Sequence, residues 1–205
     1  MAISVHTNQS ALVALQNLNK TNEQLGQAQD KVSTGLKIAN AKDNAAIWAI
    51  AQGQRADIGA LSAVKASLNR ATSISEVAMT AGESVSDLLN QLKEKVITAM
   101  DPSLDQRSRT AVDSDYKAIL KQIGQVIRSA EFDGANILDG SAGASIQFLA
   151  SADAAQSITL ASQNLSLGGS ILTLAATSSI GTASAAATIM TALDASITNV
   201  NQALG

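Results

Sequence analysis

Few side chains in this sequence could do chemistry. It has a single histidine, His6, and no cysteine. A protein-bound zinc ion needs several imidazole or thiolate ligands close together, so His6 is predicted to be a solvated helix side chain and not a metal ligand. The glycine-rich phosphate loops and the hydrolase motif GxSxG do not occur. The sequence therefore offers no nucleophile with a matching base.

The remaining candidates for chemistry are carboxylates and methionines. The acidic pieces DPSLDQ and DSD lack the glycine and the final glutamate of a calcium-binding loop. Met79, Met100 and Met190 follow helical spacing and are expected to pack. We predict no catalytic residue, no cofactor and no metal ligand, and we predict that the protein is not an enzyme.

The composition favours slender helices over a thick globular core. Hydrophobic residues make up 46% of the chain but aromatic residues only 2%, and the one proline, Pro102, leaves most of the length open to helix. The net charge is -3 and no two basic residues are adjacent, which argues against nucleic acid as a partner. The longest apolar run, Ala45–Ala51, is too short to cross a bilayer, and no cleavable signal peptide is recognisable.

The N-terminal segment from Ser4 to about Thr34 is predicted to be a helix with one narrow apolar edge. Its residues recur at heptad-like spacing, as in one strand of a coiled coil. The predicted assembly interface consists of Val5, Leu12, Leu15, Leu18, Leu25, Val32 and Leu36. Such a helix cannot cover its own edge, so either this protein's core or another subunit must do so, and the spacing alone leaves both open.

A connector interrupts the helical pattern after this segment. Gly35 suits the left-handed position that ends a helix, and Asn40 and Asp43 are good residue types for capping the next one. Trp48, the only tryptophan, follows the restart. Packing in a core and packing at a subunit contact beside this hinge are both open for Trp48.

The rest of the chain predicts a mainly α fold. Apolar residues at steps of three and four predict a helix of nearly 57 residues from 43 onward, and Asp101 and Pro102 are predicted to begin a second helix that returns antiparallel to about Ala130. Alternation at 146–148 and 158–160 predicts a small β-hairpin, and a last helix is predicted from about Ser184. The predicted domains are 1–42, a helix and connector; 43–140, a helical hairpin; 141–183, the β-hairpin and a loop; and 184–205, the start of a C-terminal helix.

Several motifs resemble those of bacterial flagellins. They are Asn8 with Leu15–Lys20, which resembles "TN…A…NLNK"; Ser33–Ile38, which resembles "SSGLRI"; Ala41–Ala46, which resembles "AKDDAA"; and Phe132–Gly134 with Leu138–Gly140, which resemble "FNG…LDG". The resemblance covers about the first 165 residues of the chain. It implies a structural subunit of the flagellar filament, with a long antiparallel helical rod, a small β-hairpin and an N-terminal helix joined by a short connector.

The family resemblance also implies how the protein assembles, how it is exported and which partners it has. In flagellins the first helix pairs with the C-terminal helix to line the channel of the filament, and subunits pack in heterologous, non-closing contacts. It implies folding of terminal helices coupled to polymerisation, motility, type III export without signal cleavage, and an extracellular filament built from subunits that are cytoplasmic before export. The partners implied are other flagellin subunits, the export apparatus, and a chaperone or assembly regulator. No large outer domain is expected, because only 165–184 would hold it.

Two departures from the family pattern carry expectations of their own. The C-terminal helix of flagellins continues past the position of Gly205, so this chain is expected to be part of a longer protein and not to build a stable filament by itself. Many flagellins carry an Arg-x-Arg-Glu element that contacts an innate immune receptor, and the matching place reads Gln91, Leu92, Lys93 and Glu94. Lysine cannot reproduce the bidentate fork of arginine, so weak or absent recognition is expected.

Two other protein classes compete with this interpretation. A hook–filament junction protein shares the helical ends, although the run AKDNAAIWAIA favours a filament subunit. A coiled-coil adaptor or signalling module would explain the heptads but not the glycine break or the β-hairpin.

Overall fold

The computed structural model describes residues 8–204, which form four helices and one β-hairpin. The elements are α1 (Gln9–Thr34), α2 (Ala45–Met100), α3 (Gln106–Ser129), β1 (Ser145–Leu149), β2 (Ser157–Ala161) and α4 (Ala183–Leu204). This confirms the predicted mainly α fold with a small antiparallel sheet. Among the described residues, no helix has both the length and the apolar content to span a membrane. The chain divides into two compact units, Met1–Ala60 and Leu61–Gly205.

In the first unit, α1 begins and ends where its capping residues dictate. The Asn8 side chain accepts hydrogen bonds from the backbone N of Ser10 and Ala11, which satisfies two amides that the helix itself leaves without acceptors. Gly35 follows the last turn with φ of 66°, the left-handed conformation that its sequence position predicted. The predicted start of this helix at Ser4, with Val5 and His6, lies outside the described residues.

The restart of helix at α2 differs by one residue from the sequence prediction. Asn44 caps α2, because its Oδ1 accepts from the backbone N of Ile47 at 3.1 Å. Asn40 and Asp43, the predicted caps, instead fold the connector: Asn40 Oδ1 accepts from Lys42 N at 2.9 Å, and Asp43 Oδ2 accepts from Ala39 N at 3.0 Å. The prediction that one of these two residues caps α2 was therefore wrong, although both act on neighbouring backbone as their type favours.

The turn between α2 and α3 also corrects the sequence prediction. Asp101 and Pro102 lie in a turn, where Asp101 Oδ1 accepts from Ser103 N at 2.8 Å. The N-cap of α3 is Asp105, whose side chain accepts from Arg107 N and Ser108 N. The prediction that Asp101 and Pro102 begin α3 was therefore wrong. The second aspartate of DPSLDQ, Asp105, caps the helix because it directly precedes the apolar periodicity of α3.

In the second unit, α3 and α4 both run antiparallel to the C-terminal part of α2. Lys95 forms an ion pair with Asp115 near the start of α3, while Val77 and Ala81 lie beside Val126 and Ala130 at its end. On the α4 side, Lys93 pairs with Asp194 and Ser86 donates to Asn201. Leucine, valine and isoleucine side chains from these three helices form the core. Its largest fully buried helical members are Leu89, Leu92, Tyr116, Leu120, Ile123 and Leu193.

The β-hairpin closes one side of this core. Its register pairs Ile146 with Leu160 and Phe148 with Ile158, which confirms the hairpin predicted from the alternating residues. Phe148 is 2% exposed, and Leu149 N donates to Ser67 Oγ of α2 at 3.2 Å. The hairpin is thereby held to the helical rod through one buried side chain and one backbone hydrogen bond.

Candidate assembly interface

The apolar edge of α1 is uncovered along its whole described length. No residue of Gln9–Thr34 is buried. The predicted interface residues in the described part of the chain are 37–84% exposed: Leu12, Leu15, Leu18, Leu25, Val32 and Leu36. Val5, the remaining member, lies outside that part. A large aliphatic side chain is favoured inside a protein by about 1.5–3 kcal/mol relative to water. The five residues on α1, with Leu36 just past its end, are therefore a surface of the kind that binds other protein.

The structure also exposes apolar residues that the sequence prediction did not assign to an interface. Val13 of α1 is 55% exposed, and the first half of α2 exposes Ile47, Ile50 and Ile58. The last three belong to the apolar rhythm from which the sequence analysis predicted one long helix, without assigning them to an interface. Burial begins only at Val64, because the helices that pack on α2 cover its later turns. The sequence held one clue that these first turns would stay exposed: it has no further apolar stripe whose helix could cover them.

Two of the four connector residues, Asn40 and Asp43, lie in one hydrogen-bonded turn, whereas Gly35 lies at the end of α1 and Trp48 in the first turn of α2. The left-handed φ of Gly35 ends α1, and Asp43 N donates to Asn40 O at 3.2 Å. Asp43 is partly buried, as is Trp48 in the first turn of α2. Trp48 is therefore mostly covered within this chain and keeps a minor part of its surface exposed.

Two buried polar clusters fix the second unit. The guanidinium of Arg109 donates to the carbonyl oxygens of Ala99, Asp101 and Leu104, so it satisfies the C-terminal end of α2 and carries a positive charge where the helix dipole favours one. Arg109 is 6% exposed. Sequence reasoning missed this role, since an arginine inside a polar helix reads as a solvated side chain.

Asp113 forms the other cluster. Its carboxylate accepts from Ile180 N and Ser179 Oγ, both at 2.7 Å, and from Lys117 Nζ at 2.6 Å, so it ties the loop before α4 to α3. Burial raises the pKa of Asp113, but the hydrogen bonds from Lys117, Ser179 and Ile180 outweigh burial and hold the pKa below its ordinary value. Close by, burial raises the pKa of Tyr116, whose hydroxyl lies 2.8 Å from Ser178 Oγ.

The stretch Gln91–Glu94, which the sequence analysis predicted to depart from a receptor-contact element, lies on α2 beside α4. Lys93 is held in a 2.7 Å ion pair with Asp194, while Gln91 and Glu94 are exposed. The lysine charge is thus already paired within the chain. Among residues 8–204 no cluster of histidine, aspartate or glutamate could hold a metal ion.

Comparisons with known proteins agree with this architecture. Residues 5–143 match the model of the bacterial flagellin N-terminal helical region. Flagellin FljJ of Caulobacter vibrioides is 48% identical over the whole chain, which covers 74% of that protein, and its flagellin FljM is 44% identical over 95% of the chain and 70% of its own length.

This chain belongs to the bacterial flagellin family. It is therefore a structural subunit of the flagellar filament and not an enzyme. A crystal structure of Bacillus cereus flagellin shares the fold, with a TM-score of 0.55 and 20% identity over 66% of this chain and 78% of that one. The comparisons do not favour a hook–filament junction protein or a coiled-coil adaptor.

Proposed function

We propose that this flagellin assembles by folding α1 against neighbouring subunits. The observation that carries the proposal is the uncovered apolar edge formed by Leu12, Leu15, Leu18, Leu25, Val32 and Leu36. The contacts are heterologous, so they propagate into a helical filament and do not close into a dimer. The filament is extracellular and serves motility.

Folding and assembly are coupled in this proposal because α1 has no support of its own. Most of the stability of a helix in a protein comes from packing of its apolar face, and ordering its backbone costs about 1–2 kcal/mol per residue. Burying the apolar edge recovers about 25 cal/mol per Å², which becomes available only when other subunits cover it. Because no other described part of the chain packs on α1, this segment can unfold easily, which suits passage through a narrow export channel. We propose export by the flagellar type III apparatus, with a chaperone or assembly regulator as a cytoplasmic partner.

Elongation of filament seeds tests the assembly proposal. Two proteins are mixed separately with short filament fragments. One is the chain itself, and the other is a chimera in which the chain is joined to the part of FljJ that lies outside the alignment, because the relatives are longer than this chain. We expect the double variant Leu18→Asn/Leu25→Asn of the chimera to lose elongation. A matched variant, Asn17→Ser/Gln24→Ser, alters exposed polar neighbours and is expected to elongate normally. Equal elongation by both variants would contradict the proposed interface.

The connector is proposed to be the hinge of this transition. Gly35 ends α1, Asn40 and Asp43 hold the following turn by side-chain hydrogen bonds, and Trp48 is proposed to pack at a subunit contact beside it. The partial exposure of Trp48 supports that role. Its fluorescence is expected to shift to shorter wavelength on polymerisation, whereas an unchanged spectrum would remove Trp48 from the interface.

Recognition by the innate immune receptor for flagellin is proposed to be weak. The supporting observation is that Lys93 is already paired with Asp194 and that Gln91 offers no charge where the family pattern has arginine. The variant Gln91→Arg/Lys93→Arg is expected to increase the response in a receptor reporter assay. A full-strength response to the unaltered chain would overturn the proposal.

A further inference from the structure

The dipeptide Asp-Gly occurs twice in the chain, at Asp133–Gly134 and at Asp139–Gly140. In such a pair the backbone nitrogen of glycine can attack the carboxyl group of the aspartate, because glycine has no Cβ to hinder the approach. Both pairs lie in the segment between α3 and β1. Since the two sites share one chemistry and one region of the fold, we expect a difference in their reactivity to come from local structure.

Asp133 and Gly134 form the exposed tip of a tight turn. Phe132 and Ala135 exchange two backbone hydrogen bonds of 3.0 Å, and the φ angles of the two residues between them are 51° and 76°. Positive φ at both central positions is typical of a type I′ turn. The conformation is unstrained for Gly134, whereas Asp133 adopts it at a cost in backbone free energy. Few contacts therefore oppose a transient opening of this turn.

The two groups that would react in this turn are nearly free. The Asp133 carboxylate is bound by Arg70 of α2 in a 3.2 Å ion pair, and both side chains are more than half exposed. Within residues 8–204, the Gly134 amide has no hydrogen-bond acceptor. An exposed ion pair is weak, so the carboxyl group can leave Arg70 and turn towards the Gly134 nitrogen.

Asp139 and Gly140 are held in place and are partly buried. The carboxylate of Asp139 accepts from Ser141 N at 2.8 Å, and its carbonyl oxygen accepts from Ser166 Oγ at 3.0 Å. Gly140 packs so closely on Asn164 that an added Cβ would lie 2.7 Å from the side-chain amide nitrogen. The rotation that would bring this carboxyl group to the Gly140 nitrogen must break both hydrogen bonds and disturb that packing.

We propose that Asp133–Gly134 is a site of spontaneous conversion to isoaspartate in the folded protein, whereas Asp139–Gly140 is protected. The Gly134 nitrogen bonds to Cγ of Asp133, and its amide proton and a carboxyl hydroxyl leave as water, which gives a five-membered imide. Water then adds to the main-chain carbonyl carbon of Asp133 and breaks its bond to the Gly134 nitrogen, so the chain now runs through Cγ. One water is released and one is consumed, and no oxidant or cofactor is needed.

The product changes the contact between this turn and α2. The main chain gains one carbon, and the free carboxylate is attached directly to Cα, so the side chain that reached Arg70 is one carbon shorter. The 3.2 Å ion pair of the original turn is therefore lost. The conversion depends on the fold of a single chain and not on the proposed assembly, and it distinguishes old chains from newly made ones.

A protease that cuts before aspartate but not before isoaspartate tests the proposal. The full chain is kept in neutral buffer at physiological temperature for several weeks and digested, and its fragments are quantified by mass spectrometry. Fragments left uncut at Asp133 or at Asp139 report isoaspartate at that site. We expect several-fold more isoaspartate at Asp133. Equal accumulation at the two sites, more at Asp139, or none at Asp133 would overturn the proposal.

The same incubation in concentrated urea is the control for neighbouring sequence, because unfolding removes the structural difference between the sites. Isoaspartate is then expected to form at similar rates at Asp133 and Asp139, so unfolding accelerates the reaction much more at Asp139. If the preference for Asp133 persisted in urea, it would come from adjacent residues and not from the fold, which would also overturn the proposal.

Substitution of Arg70 tests the restraint on the reacting carboxyl group. Arg70→Gln is expected to raise the rate at Asp133 about two- to fivefold, the factor that an exposed ion pair contributes. Lys121→Gln removes an exposed positive charge from α3 and is the matched control, with no change expected. A rate in Arg70→Gln no higher than in Lys121→Gln, with both chains folded by circular dichroism, would contradict the role given to the ion pair.

Discussion

At the residue scale, the packing of the second unit depends on two buried ionised side chains whose role could not be predicted from the sequence pattern. Arg109 and Asp113 are 6% and 7% exposed, and each binds backbone groups of segments outside its own helix. Both sit on α3 one turn apart. A buried charge is tolerated only when its hydrogen bonds are complete, and here they join α2, α3 and the loop before α4.

Replacement of Asp113 tests this role and has a defined pH dependence. Because the pKa of Asp113 is lowered in the folded protein, its contribution to the free energy of unfolding is fully present above its unfolded pKa of about 3.9 and is lost as pH falls through the folded value. Asp113→Asn is expected to lower the free energy of unfolding by about 1–3 kcal/mol at pH 7, and by less at pH 3. Urea unfolding at the two pH values measures both effects.

Asp115→Asn is the matched control, since Asp115 lies on the same helix and forms an exposed 3.3 Å ion pair with Lys95. It is expected to change the free energy of unfolding by about 0–1 kcal/mol at pH 7. If the two variants were equally stable at pH 7, the loop would not depend on Asp113.

At the element scale, the sequence predicts helices well and their caps less well. The lengths of α2 and α4 and the β-hairpin follow from periodicity, since steps of three and four or of two are imposed by the geometry of each element. The predicted caps of α2 and α3 were wrong because NAKDN and DPSLDQ each contain several residues of a capping type. Only the backbone geometry selects Asn44 and Asp105. The sequence predicted an assembly edge on α1, but it did not assign Ile47, Ile50 and Ile58 to an interface, because only the tertiary arrangement leaves them uncovered.

The end of α1 is where the sequence prediction and the structure agree most closely. Substitution of Gly35 tests how much this helix end matters for assembly. Its φ is 66°, and no neighbouring atom would meet an added Cβ, so Gly35→Ala introduces backbone strain alone. That strain costs about 1–2 kcal/mol, so the critical concentration for elongation is expected to rise about fivefold or more. Gly53→Ala, in open space within α2, is the control and is expected not to raise it. Identical effects of the two changes would show that the left-handed turn is unimportant for assembly.

At the scale of the whole molecule, the two units differ in how they are stabilised. The second unit has a continuous core from Ile74 of α2 through α3, the β-hairpin and α4. In the first unit, α1 has no buried residue and the first turns of α2 expose isoleucines. The rod is therefore stable within one chain, whereas we propose that α1 obtains its stability from other chains. In this proposal α1 stays uncovered before assembly and is buried by other subunits after it.

Amide hydrogen exchange on the isolated chain tests this claim most directly, because it reads the local stability of each helix separately. The account predicts fast exchange over α1, Gln9–Thr34, and slow exchange over the part of α2 that packs in the second unit, from Ile74 to Ala99. Once the chimera is incorporated into filaments, α1 is expected to become protected as well. Slow exchange of α1 in the isolated chain, equal to that of the core of α2, would contradict the account.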